Sequence, residues 1–217
     1  MKLQDIENDY IDAYKSQWAC LENVFDISKN SVSIDFDSTD ITLCIIQRLN
    51  AYYQTQNNIK GFLNKRYAAP AADFFVESVL YFLKLALEVS KSNLEAHSER
   101  QIKRKKNAIR PDISIWKNDE VVSIIECKTQ LGWSRTTWQR DFEKREEKLK
   151  SDFPEAEAYL LVMTGSNWGG FSEEHFCSGK YYCLLKDKWP TEIDINSTFD
   201  DIFTPIENLF KLIIKKG

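Results

Sequence analysis

The chain has 217 residues, 43% of them hydrophobic and 13% aromatic, so it can bury a core and is expected to form one domain with a helical addition. The net charge of -4 argues against nucleic-acid binding over the whole surface, although a local basic patch is compatible with it. The five Cys residues form no CxxC pair, which excludes the common zinc-finger patterns and favours a reduced, cytoplasmic protein.

Three helices are predicted in the first part of the chain. Apolar residues recur at helical spacing in "QDIENDYIDAYKSQWACLENVF", "STDITLCIIQRLNAYYQ" and "AAPAADFFVESVLYFLKLALEVSKS". The third segment is the most apolar, but Glu77, Lys84 and Glu88 interrupt it, so we expect a core helix and no membrane span. The polar N-terminus "MKLQDIENDY" does not resemble a signal peptide.

From about residue 100 the pattern changes to short β-branched runs. "IRPDISIWK" and "VVSIIECK" flank "NDE" and predict a hairpin, although the turn lacks an Asn-Gly or Asp-Gly pair. "TTWQRDFEKREEKLKSDF" predicts a helix that ends before Pro154, "AEAYLLVMT" a buried strand, "KYYCLLK" a further strand and "FDDIFTPIENLFKLIIKK" a closing amphipathic helix.

The predicted fold class is therefore α/β, with a mixed central sheet flanked by helices. From the third helix onward the order is helix, three strands, helix and two strands, although only the second and third strands of the first group are assigned to residues. We expect residues 1–69 to form a helical region packed on a core of residues 70–217, which includes the C-terminal helix.

The hairpin brings two carboxylates together if it turns symmetrically about Asp119. This register pairs Trp116 with Val122, Ser114 with Ile124, and Asp112 with Glu126, and it leaves a mostly apolar opposite face. Lys128 points to the same face as Glu126. Two carboxylates about 5 Å apart repel each other unless a positive charge lies between them.

Two carboxylates beside a Lys form an oxygen-ligand site that suits Mg²⁺, which takes few protein ligands and keeps several waters. The metal could activate a water and neutralise charge at a phosphate, with Lys128 stabilising the hydroxide or the transition state. The alternative is a turn Asp and an exposed surface ion pair of little energetic weight.

At these residues the chain resembles the PD-(D/E)xK phosphodiesterases, the restriction-endonuclease-like superfamily. Pro111-Asp112 matches the first half of the motif, and Glu126-Cys127-Lys128 matches the second. The resemblance implies a restriction-endonuclease-like core with Asp112 and Glu126 as catalytic metal ligands, Lys128 as the catalytic lysine and Mg²⁺ (or Mn²⁺) as cofactor. It adds the Cys127 backbone carbonyl as a ligand, with the thiol on the other face. Glu77 on the preceding helix is a candidate ligand, and a solvated helix face is an equal alternative for it.

Several basic and polar residues are candidates for contact with nucleic acid. The helix after the motif is expected to present phosphate-binding side chains on its first turns, where the N-terminus also favours anions. The run "KRKK" before the motif is either a solvated face or a steering surface for the DNA backbone. The candidates are Arg135, Gln139 and Arg140 after the motif, and Lys105, Lys106 and Arg110 before it.

The resemblance implies a metal-dependent endonuclease that acts on DNA, with the restriction type as the specific expectation. The chain lacks the four-Cys cluster of the iron–sulfur exonuclease branch and a P-loop, so no nucleotide cofactor is expected. The alternatives are a junction resolvase, a repair nuclease or a phage-defence nuclease acting on DNA or RNA, and a binding module that has lost catalysis. No membrane partner is expected, and a homodimer is an open expectation.

Overall fold

A computed structural model describes residues 2–106, 108–131, 137–166, 175, 178–194 and 198–217. It confirms the predicted α/β class: five strands form one mixed sheet with helices on both faces, preceded by a helical region. The elements are α1 (Leu3–Ser31), α2 (Asp40–Phe62), α3 (Ala72–Val89), β1 (Glu95–Ser98), β2 (Ile113–Lys117), β3 (Glu120–Lys128), α4 (Trp138–Asp152), β4 (Glu157–Thr164), β5 (Tyr181–Leu185) and α5 (Ile206–Ile214).

The sheet has the order β1-β2-β3-β4-β5. β1, β2 and β3 form an antiparallel meander, and β4 and β5 continue the sheet in parallel with β3. The sequence order of helices and strands from α3 to β5 is the predicted one. β1 had not been assigned to residues, because the four residues "EAHS" carry neither β-branched enrichment nor a clear apolar alternation.

The hairpin register differs from the prediction near the turn. Ser114 pairs with Ile124 as predicted, but Trp116 pairs with Val121, so the predicted pairing with Val122 is wrong. The turn consists of Asn118 and Asp119, which both have positive φ, and a bulge between Ile115 and Trp116 restores the predicted register further along.

The alternation of β3 separates two apolar layers. Past the bulge, odd-numbered residues of β3 such as Ile125 pack with α2, α3 and α5 in the larger layer, whereas Val121 near the turn faces the smaller layer. Even-numbered residues such as Ile124 pack in the smaller layer with Trp138 and Phe142 of α4. Trp138 is 6% exposed. Each layer covers one face of the sheet, so the motif strands are buried on both sides.

The terminal helices differ in how they are held. α5 is shorter than predicted because Pro205 starts it, and the preceding Thr198–Asp201 is a 3₁₀ turn. Fully buried Glu207 of α5 accepts hydrogen bonds from the Thr42 backbone N–H at 2.9 Å and the Thr42 hydroxyl at 2.5 Å. α1 contributes no buried residue. No helix in the described part of the chain is both long and apolar enough to cross a bilayer. The division of the chain at residue 70 stays a prediction.

The turn offers a test of the hairpin. Asp119 has φ 67°, a conformation that Gly adopts without the steric penalty of a side chain. We expect Asp119→Gly to raise the free energy of unfolding by roughly 0.5 kcal/mol, because it creates the favoured Asn-Gly turn, and Asp119→Val to lower it by roughly 1–2 kcal/mol. Urea unfolding measures both. Equal stability of the two variants would contradict the turn.

Candidate active site

Asp112 lies immediately before β2, at the open end of the hairpin. The Ile113–Ile125 pair precedes it in the ladder, so continuing the register places Asp112 opposite Glu126. The Asp112 Oδ2 atom accepts a hydrogen bond of 2.7 Å from the backbone N–H of Cys127 and lies 3.3 Å from the Lys128 Nζ atom. The Asp112 main-chain carbonyl accepts hydrogen bonds from the Glu99 backbone N–H and the Ser98 hydroxyl. β3 therefore holds the Asp112 carboxylate, and the end of β1 holds the Asp112 main chain.

Glu126 is the buried member of the pair, with its side chain 6% exposed. Arg145 of α4 lies beside it, with Nε 2.6 Å from Glu126 Oε1, yet neither atom has a well-directed hydrogen bond within the described residues. Burial raises the pKa of Glu126 to about 7, with Arg145 and Lys128 opposing the shift and Asp112 adding to it. Glu126 is therefore close to half ionised at neutral pH.

Lys128 connects two depressions on the surface. On the α3 side, a groove of about 530 Å³ is lined by Asp112, Lys128 and Glu77 among other residues. On the α4 side, a cavity of about 290 Å³ is lined by Glu126, Lys128 and Arg145 among others. Lys128 and Gln130 line both, so the two carboxylates approach the same Lys from neighbouring depressions.

The donor set suits a small divalent ion. Mg²⁺ takes one or two carboxylates and otherwise keeps water, so Asp112, Glu126 and the Cys127 carbonyl are sufficient. The buried Oε1 of Glu126 lacks a well-directed hydrogen bond among the described residues, although Arg145 Nε lies 2.6 Å from it. This oxygen retains a lone pair that a cation could use. The residues therefore fit the metal.

The other two predicted metal ligands, Cys127 and Glu77, lie on β3 and on α3. The Cys127 side chain is buried in the larger apolar layer, on the face opposite Glu126, as expected. Glu77 is exposed on the wall of the groove that contains Asp112. Within the described residues, however, no three His, Cys, Asp or Glu side chains cluster closely enough to hold one ion. A ligand role for Glu77 stays a prediction.

The predicted nucleic-acid contacts fall in two places. Gln139 and Arg140 are exposed on the first turn of α4, where Gln139 bonds Glu143 and Arg140 lies 3.9 Å from Asp141. Lys105 binds Asp152 at the far end of α4, about 10 Å along the helix from Arg145.

Lys106 is exposed and has no ion pair with the described residues. Arg110 is exposed, and its carbonyl accepts a bond of 2.7 Å from Arg145. Arg135 lies outside the described residues.

Arg145 is the site residue that the sequence analysis missed. Its signal was present, because position 145 follows Trp138 by seven residues and Phe142 by three, which places it on the buried stripe of α4. A charged residue on such a stripe needs a buried partner. The partner, Glu126, is 19 residues away on β3, so only the packing of α4 on the sheet identifies it.

The raised pKa of Glu126 predicts a pH-dependent stability. The ordinary pKa is 4.5, so the folded state binds the proton more tightly. This contribution is fully present below pH 4.5 and is lost as the pH rises through about 7. Between pH 5 and pH 8, the wild type should lose roughly 2–3 kcal/mol of unfolding free energy more than Glu126→Gln loses. Urea unfolding of both at the two pH values measures this, and parallel pH curves would refute it.

Arg145 should stabilise the ionised form of Glu126. At pH 8 we expect Arg145→Gln to lower the unfolding free energy by about 2–3 kcal/mol, less than for a fully buried pair, because Arg145 is 34% exposed. In a Glu126→Gln background the same change should cost less than about 1 kcal/mol, which a double-mutant cycle measures. Lys144→Gln, on the exposed face of α4, is the matched control. An equal cost in both backgrounds would show that the pair is not coupled.

Comparisons with known proteins do not identify the family. No family model matches the sequence, and no curated protein matches it. A search of solved structures found a chain described as "native BbvCI A2B2 tetramer at low resolution", with 13% sequence identity, coverage of 91% of this chain and 93% of that chain, and a TM-score of 0.33. Similarity at this level carries no argument about function, so the functional proposal depends on the site itself.

Proposed function

We propose that the chain is a metal-dependent endonuclease that hydrolyses phosphodiester bonds in DNA. The supporting observation is the arrangement at the open end of the hairpin, where Asp112 and Glu126 are apposed and Lys128 Nζ lies 3.3 Å from Asp112. A protein without catalytic activity has no physical need to hold one carboxylate buried beside another. Perturbed groups lining a depression are typical of functional sites.

Mg²⁺, or Mn²⁺ in its place, is the proposed cofactor, held by Asp112, Glu126 and the Cys127 carbonyl. When bound, it would supply a Lewis acid for the phosphate and lower the pKa of a water. The chain's own residues prepare the site. The Cys127 N–H orients Asp112, and Arg145 favours the ionised, metal-binding form of Glu126. Lys128 places a positive charge beside Asp112, where it can stabilise negative charge on a phosphate.

DNA is the proposed substrate, with restriction-type cleavage as the specific form. The groove of about 530 Å³ beside Asp112 is the proposed place of the phosphodiester backbone. Exposed cations at Arg104, Lys106 and Arg110 precede the site and have no ion pair among the described residues, so they can contact phosphates. A cytoplasmic location suits such an enzyme and stays a prediction.

The test is cleavage of plasmid DNA with Mg²⁺ or Mn²⁺. We expect the wild type to cut, and Asp112→Asn and Lys128→Ala to lose activity by at least about a hundredfold, because the first weakens the proposed metal site and the second removes the positive charge that would stabilise the phosphate. The amide in Asp112→Asn can still accept from the Cys127 N–H, so the fold should survive. Glu120→Gln, at the turn end of the hairpin, and Lys144→Gln on α4 are the matched controls.

Metal binding needs its own measurement. Calorimetric titration with Mn²⁺ should show binding to the wild type that is at least about tenfold weaker in Asp112→Asn and unchanged in Glu120→Gln. If DNA and RNA substrates remain intact with both metals, or if the site variants cut as fast as wild type, the nuclease proposal is wrong.

A further inference from the structure

The N-terminal end of α1 and the C-terminal end of α2 both project past the start of α3. The Phe25 ring of α1 lies 5.4 Å from the Tyr81 ring of α3. Tyr14 and Glu88 are near enough to Tyr52 and Lys29, respectively, to help raise their pKa values, after burial at Tyr52 and the Asp26 hydrogen bond at Lys29. The contacts of α1 thus advance along α3 in the same direction. The eleven residues of α1 that precede Tyr14 extend about 16 Å past this contact, beyond the start of α3.

α2 runs in the opposite direction along α3. Arg48 lies 3.9 Å from the Tyr81 ring centroid, whereas Tyr52 stacks on Phe74 at 4.6 Å. The ten residues after Tyr52 therefore continue α2 for about 15 Å past the start of α3 as well. We call residues 2–18 the amino-terminal segment and residues 60–67 the α2–α3 tip.

Both regions expose large apolar side chains. In the amino-terminal segment these are Leu3, Ile6, Tyr10, Ile11, Tyr14 and Trp18, and in the tip they are Phe62, Leu63 and Tyr67. The five aromatic residues among them are 58% to 88% exposed. At roughly 200 Å² for each aromatic side chain they present about 700 Å², before the aliphatic residues are counted. Each partner of a stable complex buries about 800 Å², so the area suffices.

The stripe on α1 is already used for packing further along the helix. Ile11, Tyr14 and Trp18 continue at spacings of three and four to Leu21 and Phe25, which pack against the core. The covered end of the stripe shows that it is a packing surface. The part of the stripe before Leu21 is exposed to solvent in the described structure.

The charges of the two regions are complementary. The amino-terminal segment holds Asp5, Glu7, Asp9 and Asp12 against two Lys, whereas the tip holds Lys60, Lys65 and Arg66 and no acid. Four acids disfavour docking of α1 on DNA or on an anionic membrane. A second copy of this chain, in contrast, supplies apolar side chains and the opposite charge in one surface.

We propose that the amino-terminal segment of one copy packs on the α2–α3 tip of a second copy, and reciprocally, so that two copies close a symmetric dimer. Because each copy provides both surfaces, two copies bury all four surfaces and the assembly closes as a dimer. It adjoins the groove, since Ala72 and Glu77 at the start of α3 line that groove. The proposal does not rest on nuclease activity.

Sedimentation equilibrium of the full chain without DNA tests the dimer. We expect a mass of twice 25.4 kDa for the wild type. Tyr10→Glu in the segment and Phe62→Glu in the tip should each weaken association at least about tenfold, because a charge replaces a buried ring. Leu212→Glu, at a residue 39% exposed on α5, should leave association unchanged. Far-UV circular dichroism should show that the variants keep their helices.

A charge exchange tests which surfaces meet. Asp9→Lys with Asp12→Lys should weaken the dimer, and so should Lys65→Glu with Arg66→Glu, whereas the chain with all four changes should associate more tightly than either pair variant. A wild type that stays monomeric overturns the proposal. So does a quadruple variant whose dimer is no tighter than the dimers of the two double variants. If Phe62→Glu weakens DNA binding without changing the mass, the tip contacts nucleic acid and the dimer is wrong.

Discussion

The antiparallel pairing of Ile113 with Ile125 is the constraint on which the rest of the structure depends. Because side chains alternate along strands, this register sends one set of residues into the larger apolar layer and the other set toward α4. It also brings Asp112 and Glu126 to the same end of the hairpin. A slip of one residue would exchange the side chains that face the two layers and move Asp112 out of register with Glu126, so the fold and the site are specified together.

Glu126 shows the tension between stability and function in this site. A buried carboxylate is unfavourable when ionised, and Asp112 adds repulsion, which is why its pKa rises to about 7. Arg145 and Lys128 offset part of that penalty. A carboxylate kept there at such a cost is what the proposed metal site requires.

The helices on the two faces of the sheet have different roles around this site. α3 provides one wall of the groove beside Asp112, and α4 provides the counter-ion of Glu126. α4 carries a second buried carboxylate, Glu146, whose pKa is held below its usual range by hydrogen bonds from Lys180 and Lys150, which outweigh its burial. Charged residues thus interrupt the apolar stripe of α4 twice, and each interruption is paired across the smaller layer.

The sequence by itself determined the α/β class and the hairpin whose open end carries Asp112 and Glu126, because these follow from local periodicities and from a ladder of period two. Only the tertiary structure decided three other features. β1 is paired by β2 despite its weak strand pattern, a bulge shifts Trp116 to Val121, and Arg145 reaches Glu126 from another element. Each of these features depends on contacts between residues that are distant in sequence. Local sequence patterns do not specify such contacts.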